Sequence, residues 1–542
     1  NKGSLPRQSK REQIYSNIHD DDCLNLTDPS RGIGGKVHHA SQLIMLGRAY
    51  LAGFFLKALI VTLAIMILIP RGNTMSHVQE PLVPTSVETT MWSDSRVPHP
   101  SSPVETAIDD PTVKTTPIRI ESLPATRKST NDKPIKVAYA ISIIECTDHH
   151  KVGQFSVAGL QDASIVLRHS IHQNSVRNPS SGSRYDYEMY AIVHERAQAC
   201  APILQDAGFQ ILIRKPPILA NDIKGEFLKR SIPQEYCCGA HEFIKLYAYQ
   251  IPAPLVVHLD IDFIFRKPMD AVFDVMLGAS DEETRSRVER EDPTVPWPDN
   301  IEAMITRDYT STYPGRKSGF QAGFWVLKPS QKHFDNLINI IREGDYVEGH
   351  SRTNGWGGLG YGGFVGARAM QGLIAYYYDV HVPGTWVELN NCRYNAVRAI
   401  VVREFKCLSG RATCEDCRTT NITDIYSIHY TACRKPWTCT ATKHLSYAHD
   451  NPYPRSNSIP VNIVDYDHCM LARRVWHEYR VDLEAKLYEL THDEGIKRGQ
   501  VGNYSRDYFL GHCIGDQSSG YLRLGGSPET IKRIPELYQQ TN

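Results

Sequence analysis

Residues 134–445 of the 542-residue chain read as an α/β domain with a mostly parallel central sheet flanked by helices. Strand-length apolar runs rich in Val, Ile and Tyr recur through this stretch. Segments with the 3.6-residue period of a helix fall between them. Two aspartates, Asp260 and Asp262, end one apolar run where a parallel sheet would bind a ligand, beyond the carboxyl ends of its strands.

"IKVAYAISII" opens the domain as a buried strand. "AGLQDASIVLRHSIHQN" follows with helical spacing at Leu160, Ala163, Ile165 and Leu167. "YDYEMYAIVH" is the next strand, "CAPILQDAG" a helix with a Gly stop, and "FQILIRKP" a third strand. "HEFIKLYAYQI" is a helix that leads into "LVVHLDIDFIF", read as one strand carrying both aspartates. "FQAGFWVLKPSQKHFDNLINIIREG" is a strand, a turn at Lys328-Pro329-Ser330 and an amphipathic helix. Pro329 falls in its first turn, and Phe334, Leu337, Ile338 and Ile341 form its apolar stripe. A Gly-rich loop, "NGWGGLGYGGFVG", and the apolar "MQGLIAYYYDV" come next. Residues 446–542 form a C-terminal extension. Its one strong helix is "CMLARRVWHEYRVDLEAKLYEL", with a packing stripe at Leu471, Val475, Tyr479, Leu483 and Leu487.

Ahead of the domain the composition changes twice. Residues 1–48 are polar and mixed in charge, a disordered tail. Residues 49–70 are apolar over the length of a bilayer-spanning helix, broken by Lys57, whose cost of roughly 2.5–3.5 kcal/mol at a helix centre is eased by its reach toward the interface. Arg31, Lys36 and Arg48 before this span outnumber Arg71 after it. The positive-inside rule then leaves the tail cytosolic and the rest lumenal, the layout of a single-pass type II protein of the Golgi membrane. Residues 71–133, rich in Pro, Ser and Thr, make an extended stalk. Twelve of the thirteen cysteines lie beyond the span, an even number suited to disulfides. With 60 basic and 60 acidic residues the net charge is zero and no basic face stands out, which argues against nucleic acid as a partner.

Carboxylates at i and i+2 on a strand point the same way, and at a strand end they can share a divalent cation. Oxygen ligands suit Mn²⁺ or Mg²⁺, which bridge to phosphate. A second motif, "SIHYTACRKPW", offers an imidazole at His429 and a point charge at Lys435. "GLGYGG" at 358–363 satisfies a dinucleotide pattern but lacks the strand–helix setting that gives the pattern meaning. Cys407, Cys414, Cys417, Cys433 and Cys439 are spaced too irregularly for zinc and are expected to pair as disulfides.

The ordered set "FIKLYAYQI", "VVHLDIDFIFRKPMDAVFD", "FQAGFWVLKPS", "MQGLIAYYY" and "HYTACRKPW" resembles the glycogenin-like retaining glycosyltransferases, glycosyltransferase family 8. The resemblance implies a GT-A fold, Mn²⁺ (or Mg²⁺), and transfer of a hexose from a nucleoside-diphosphate sugar, a UDP-sugar, to a glycan, glycoprotein or glycolipid acceptor. It implies metal ligation by Asp260, Asp262 and His429. It places Lys245, Gln321, Gln371 and Lys435 on the donor, and puts the catalytic work on Asp260, Asp262 and Lys435. Asp270 reads instead as a helix N-cap. Two positions depart from the pattern: Met370 replaces the acid of the family's "DQ" pair, and "FQAG" stands for "FNSG". These departures sustain a second expectation, a catalytically silent lumenal protein that binds glycans or nucleotide sugars.

Overall fold

The computed structural model describes residues 133–146, 157–234, 239–309, 317–349, 353–364, 366–397, 415–431, 433–439, 466–498, 509–514 and 520–539. The tail, the apolar span at 49–70 and the stalk lie outside these residues, as do Cys407 and Cys414. No helix among the described residues is long and apolar enough to cross a membrane.

A seven-stranded sheet organises the domain. Its first strands are β1 (Lys136–Ile143), β2 (Asp186–His194), β3 (Gln210–Arg214) and β4 (Val256–Leu259). A three-residue strand, β5 (Phe263–Phe265), lies outside the sheet. The remaining sheet strands are β6 (Ala303–Arg307), β7 (Phe320–Leu327) and, after a short ribbon of β8 (Tyr346–Val347) and β9 (Gly355–Trp356), β10 (Trp386–Glu388). The order is β10-β6-β7-β4-β1-β2-β3. β3, β2, β1 and β4 are mutually parallel, β6 and β10 are parallel to each other, and β7 alone runs against its neighbours.

The helices include α1 (Val157–Gln173), α2 (Ala201–Asp206), α3 (Asp270–Met276), α4 (Gln331–Glu343), α5 (Met370–Tyr376) and α6 (Tyr466–Thr491). Apolar side chains alternate between two cores, one on each face of the sheet, as the strand period of two requires. Val137, Tyr139 and Ile141 of β1 enter the core that holds Ile165 and Leu167 of α1. Ala138 and Ala140 face the other, with Leu337 and Ile341 of α4 and Leu373 of α5.

Four local expectations are corrected. "HEFIKLYAYQI" lies in a tighter 3₁₀ run, Gly239–Gln250. Pro329 precedes α4 rather than opening it, because the Ser330 side chain is the N-cap and accepts from the His333 N–H at 3.3 Å. Asp270 is the first residue of α3, not its cap, and its carboxylate accepts from the Ser183 hydroxyl at 2.7 Å and the Arg184 N–H at 2.8 Å. In α6, Leu471 is 46% exposed while Arg473, His477, Arg480 and Glu484 are fully buried with Trp476, Leu483 and Leu487. Those polar groups find partners within the protein, and the inward face takes in Leu483 and Leu487 with the half-buried Val475 and Tyr479 of the expected stripe, but not Leu471.

The described cysteines pair as Cys146–Cys200, Cys392–Cys417, Cys433–Cys469 and Cys439–Cys513.

Candidate functional site

"LVVHLDIDFIF" is not one strand. β4 ends at Leu259, paired with Phe324 of β7, and the Asp260 N–H makes one further bond to the Gly323 carbonyl at 2.9 Å. The chain bends through Asp260–Asp262, and β5 then leaves the sheet to pair with β11 (Ser427–His429), antiparallel, with Phe263 opposite His429. The Tyr430 N–H closes the ribbon on the Asp262 carbonyl at 3.0 Å. The two carboxylates therefore owe their approach to a break in the strand rather than to its alternation.

One ligand atom from each of Asp260, Asp262 and His429 lies within 4.8 Å of the other two. His429 is held on every side. Its ring stacks on Phe263 with centroids 4.2 Å apart. Its Nδ1–H donates to Asn395 Oδ1 at 2.9 Å, and the Asn395 amide donates in turn to Thr306 Oγ1 at 2.9 Å. That assignment leaves Nε2 with its lone pair 3.5 Å from Asp262 Oδ1, the tautomer a metal ligand needs. Asn395 carries no signature in the sequence that would single it out.

Gly323 completes the cradle. A Cβ there would lie 2.7 Å from His429 Cε1, 2.8 Å from Asp260 Oδ2 and 2.9 Å from Gln321 Oε1. Side chains from β7, β11 and the β4–β5 break thus converge on a spot only glycine leaves open. Gln321 belongs to this group, with its Oε1 accepting from the Gly323 N–H at 2.7 Å.

Two ammonium groups flank the carboxylates. Lys435 Nζ donates to Asp262 Oδ2 and to the Tyr430 carbonyl, the latter at 3.3 Å. Lys245 Nζ donates to Asp260 Oδ1 at 3.0 Å and to the Ala322 carbonyl at 3.3 Å. Burial works to raise the Asp262 carboxyl, but the Lys435 charge outweighs it and holds the group well below the usual carboxylate range. Asp262 is ionised, buried and ready to bind a cation. Carboxylate and imidazole donors fit Mn²⁺ or Mg²⁺, with Asp260, Asp262 and His429 as the set that would hold it.

Gln371 sits in the first turn of α5, against the turn at Gly366. It is joined to the trio through its neighbour. The Met370 N–H donates to the Glu242 carboxylate at 3.3 Å, and Glu242 pairs with Lys245 at 3.2 Å, which holds Asp260. Met370 itself is fully buried in the core that contains Ala322. Sequence reasoning missed Glu242, although its i,i+3 spacing to Lys245 on a helical segment was a usable signal.

Partial likenesses exist among solved structures. Mouse xyloside xylosyltransferase 1, in its apo form, is 12% identical over 54% of this chain and 97% of its own, with a TM-score of 0.29. An active-site mutant of LgtC is 10% identical over 64% of this chain and 96% of its own, at 0.33. The glycosyltransferase GlyE of Streptococcus pneumoniae is 13% identical over 64% and 60%, at 0.30. No family model and no curated sequence matches the chain. At these scores the fold is read from the chain's own strand order.

Proposed function

We propose that this protein is a metal-dependent retaining glycosyltransferase that moves a hexose from a nucleoside-diphosphate sugar, a UDP-sugar, to an acceptor hydroxyl. The observation that carries this reading is the meeting of Asp260, Asp262 and His429 beneath two buried lysines, where parallel strand β4 ends. Two acids, an imidazole and two ammonium groups suit a ligand that brings both a divalent cation and a diphosphate.

Breaking a sugar–phosphate bond builds negative charge on the departing diphosphate. A bound cation would supply Lewis-acid stabilisation of that charge. The chain's own residues do the rest. Asp262 and Asp260 would hold the cation, and His429, fixed by Asn395, would contribute Nε2. Lys435, whose ammonium sits on Asp262 Oδ2, would neutralise the diphosphate. Lys245 stays between Glu242 and Asp260 and faces the donor's phosphate or sugar. Gln321 and Gln371 line the sugar side. The family assignment, a Golgi lumenal address and an anchor at residues 49–70 belong to the same proposal, and four disulfides among the described residues suit an oxidising compartment.

The full chain incubated with Mn²⁺ and a panel of nucleotide sugars tests the reading. Release of nucleotide from any donor, abolished by chelation, supports it. Binding without turnover across donors and acceptors would instead support the silent binding protein, which the burial of Met370 at the acid position favours.

A further inference from the structure

We propose that Arg473, on the C-terminal helix α6, is the positioning residue for Lys435, so that the extension beyond residue 445 is a working part of the diphosphate site. The inference rests on the role proposed for Lys435 and adds the means by which that lysine is held.

Residues 433–439 form a seven-residue arm that carries Lys435, Pro436 and Trp437. Both ends are tied covalently to the extension, Cys433 to Cys469 and Cys439 to Cys513. Between these ties the fully buried Arg473 guanidinium donates to the carbonyls of Arg434, Lys435, Pro436 and Thr438, at 2.6 Å for Lys435 and 3.5 Å for Pro436. Carbonyls from four of the seven residues are thus gathered around one planar cation. A guanidinium can do this because its donors fan out in a fixed plane, whereas an ammonium has three donors on a single atom. The Lys435 backbone is pinned by that cation, and its side chain leaves the arm toward Asp262. The Trp437 ring packs on Trp476 of α6, centroids 6.1 Å apart.

The helix is itself anchored for this work. Cys469, Arg473 and His477 follow one another at i,i+4 on a single face. A carbonyl oxygen only accepts, so His477 Nε2 donates to Pro436 O at 3.1 Å. His477 Nδ1 meets His512 Nδ1 at 3.1 Å, and His512 Nε2 meets Glu484 Oε2 at 3.0 Å. Arg480 lies 3.0 Å from Glu484 and 3.4 Å from Asp162. The face behind the arm is thus linked through His477, His512, Glu484 and Arg480 to Asp162 of α1.

The test measures affinity for UDP and for UMP, at saturating Mn²⁺, on the full chain. UDP carries the phosphate that Lys435 would meet, and UMP lacks it. Lys435→Ala should lower UDP affinity by about tenfold to a hundredfold and leave UMP affinity nearly unchanged. Arg473→Met should reproduce that selective loss, and Arg473→Lys should restore part of it. In the Lys435→Ala background Arg473→Met should cost nothing more, because a positioning residue has no effect without the residue it positions. A merely structural arginine would weaken UDP and UMP alike and add to the lysine's loss. If Arg473→Met does not fold, Arg473→Lys and the pair Cys433→Ala with Cys469→Ala carry the same comparison. A wild type that binds UDP no better than UMP overturns the diphosphate reading and this proposal together. A UDP preference that depends on Lys435 yet survives all of the Arg473 and cysteine variants overturns the positioning role alone.

Discussion

His429 and Lys435 reach the same aspartate from one short stretch of chain, yet they are held by different physics. His429 is placed by backbone register, since β11 pairs with β5 and sets it opposite Phe263, one residue from Asp262. A ring stack and a single amide hydrogen bond complete the placement. Lys435 has no strand beneath it. Its arm is shaped by side chains from α6 and by two disulfides. Register gives a ligand geometry that hydrogen-bonded backbone makes stiff, which suits a metal intolerant of misplacement. In the proposed function, a clamped loop would let a long, flexible cation pass from a carboxylate to an incoming phosphate. The two halves of the site should therefore fail separately.

The largest effect is expected from Asp262→Ala, which touches both halves by removing a ligand and the Lys435 partner. Metal-dependent release of nucleotide from a sugar donor should fall by about a hundredfold or more. Full activity in that assay would sink the metal assignment. Asn395→Ala should strike the register-held half alone. With the His429 ring no longer fixed, Mn²⁺ affinity should drop by about tenfold to a hundredfold in a titration, while the UDP preference over UMP measured at saturating metal persists. Gly323→Ala puts a methyl group into the cradle and should weaken Mn²⁺ by about tenfold, with a stability loss of about 1–3 kcal/mol in denaturant unfolding. Unchanged Mn²⁺ binding there would mean that the close approach of His429, Asp260 and Gln321 has no functional weight. The smallest effect is expected from Cys439→Ala with Cys513→Ala. The UDP preference should fall by about threefold while Mn²⁺ affinity holds, as suits a modest loosening of the arm. A parallel fall in Mn²⁺ affinity would break the division between the halves.

Much of the frame was readable in advance. β1, β2, β3 and β7 follow apolar strand-length runs, and α1 and α4 follow their 3.6-residue spacing. The break between β4 and β5 was hidden, because apolar residues continue on both sides of the aspartates and no Gly or Pro marks the bend. The residues expected to ligate a cation do meet, whereas Asn395 and Glu242 emerged only with the coordinates, and Met370 proved to be a core side chain. α6 was legible as a helix and in most of its packing stripe, but not in its buried charges. Leu471 stands in solvent while Arg473 lies inside, since four carbonyls of another segment compensate the charge.

By itself the sequence determined the α/β alternation, the order of the motifs and the identity of the acids, imidazole and lysines that meet at the site, because periodicity and residue chemistry act locally. Only the tertiary structure decided how they meet. Lys435 and Asp262 are 173 residues apart, and their contact depends on β11 crossing to β5 and on α6 folding back over the arm. Pairings of that kind are settled by which buried polar groups find partners, and the partners of Asp262, His429 and Arg473 all lie on other segments of the chain.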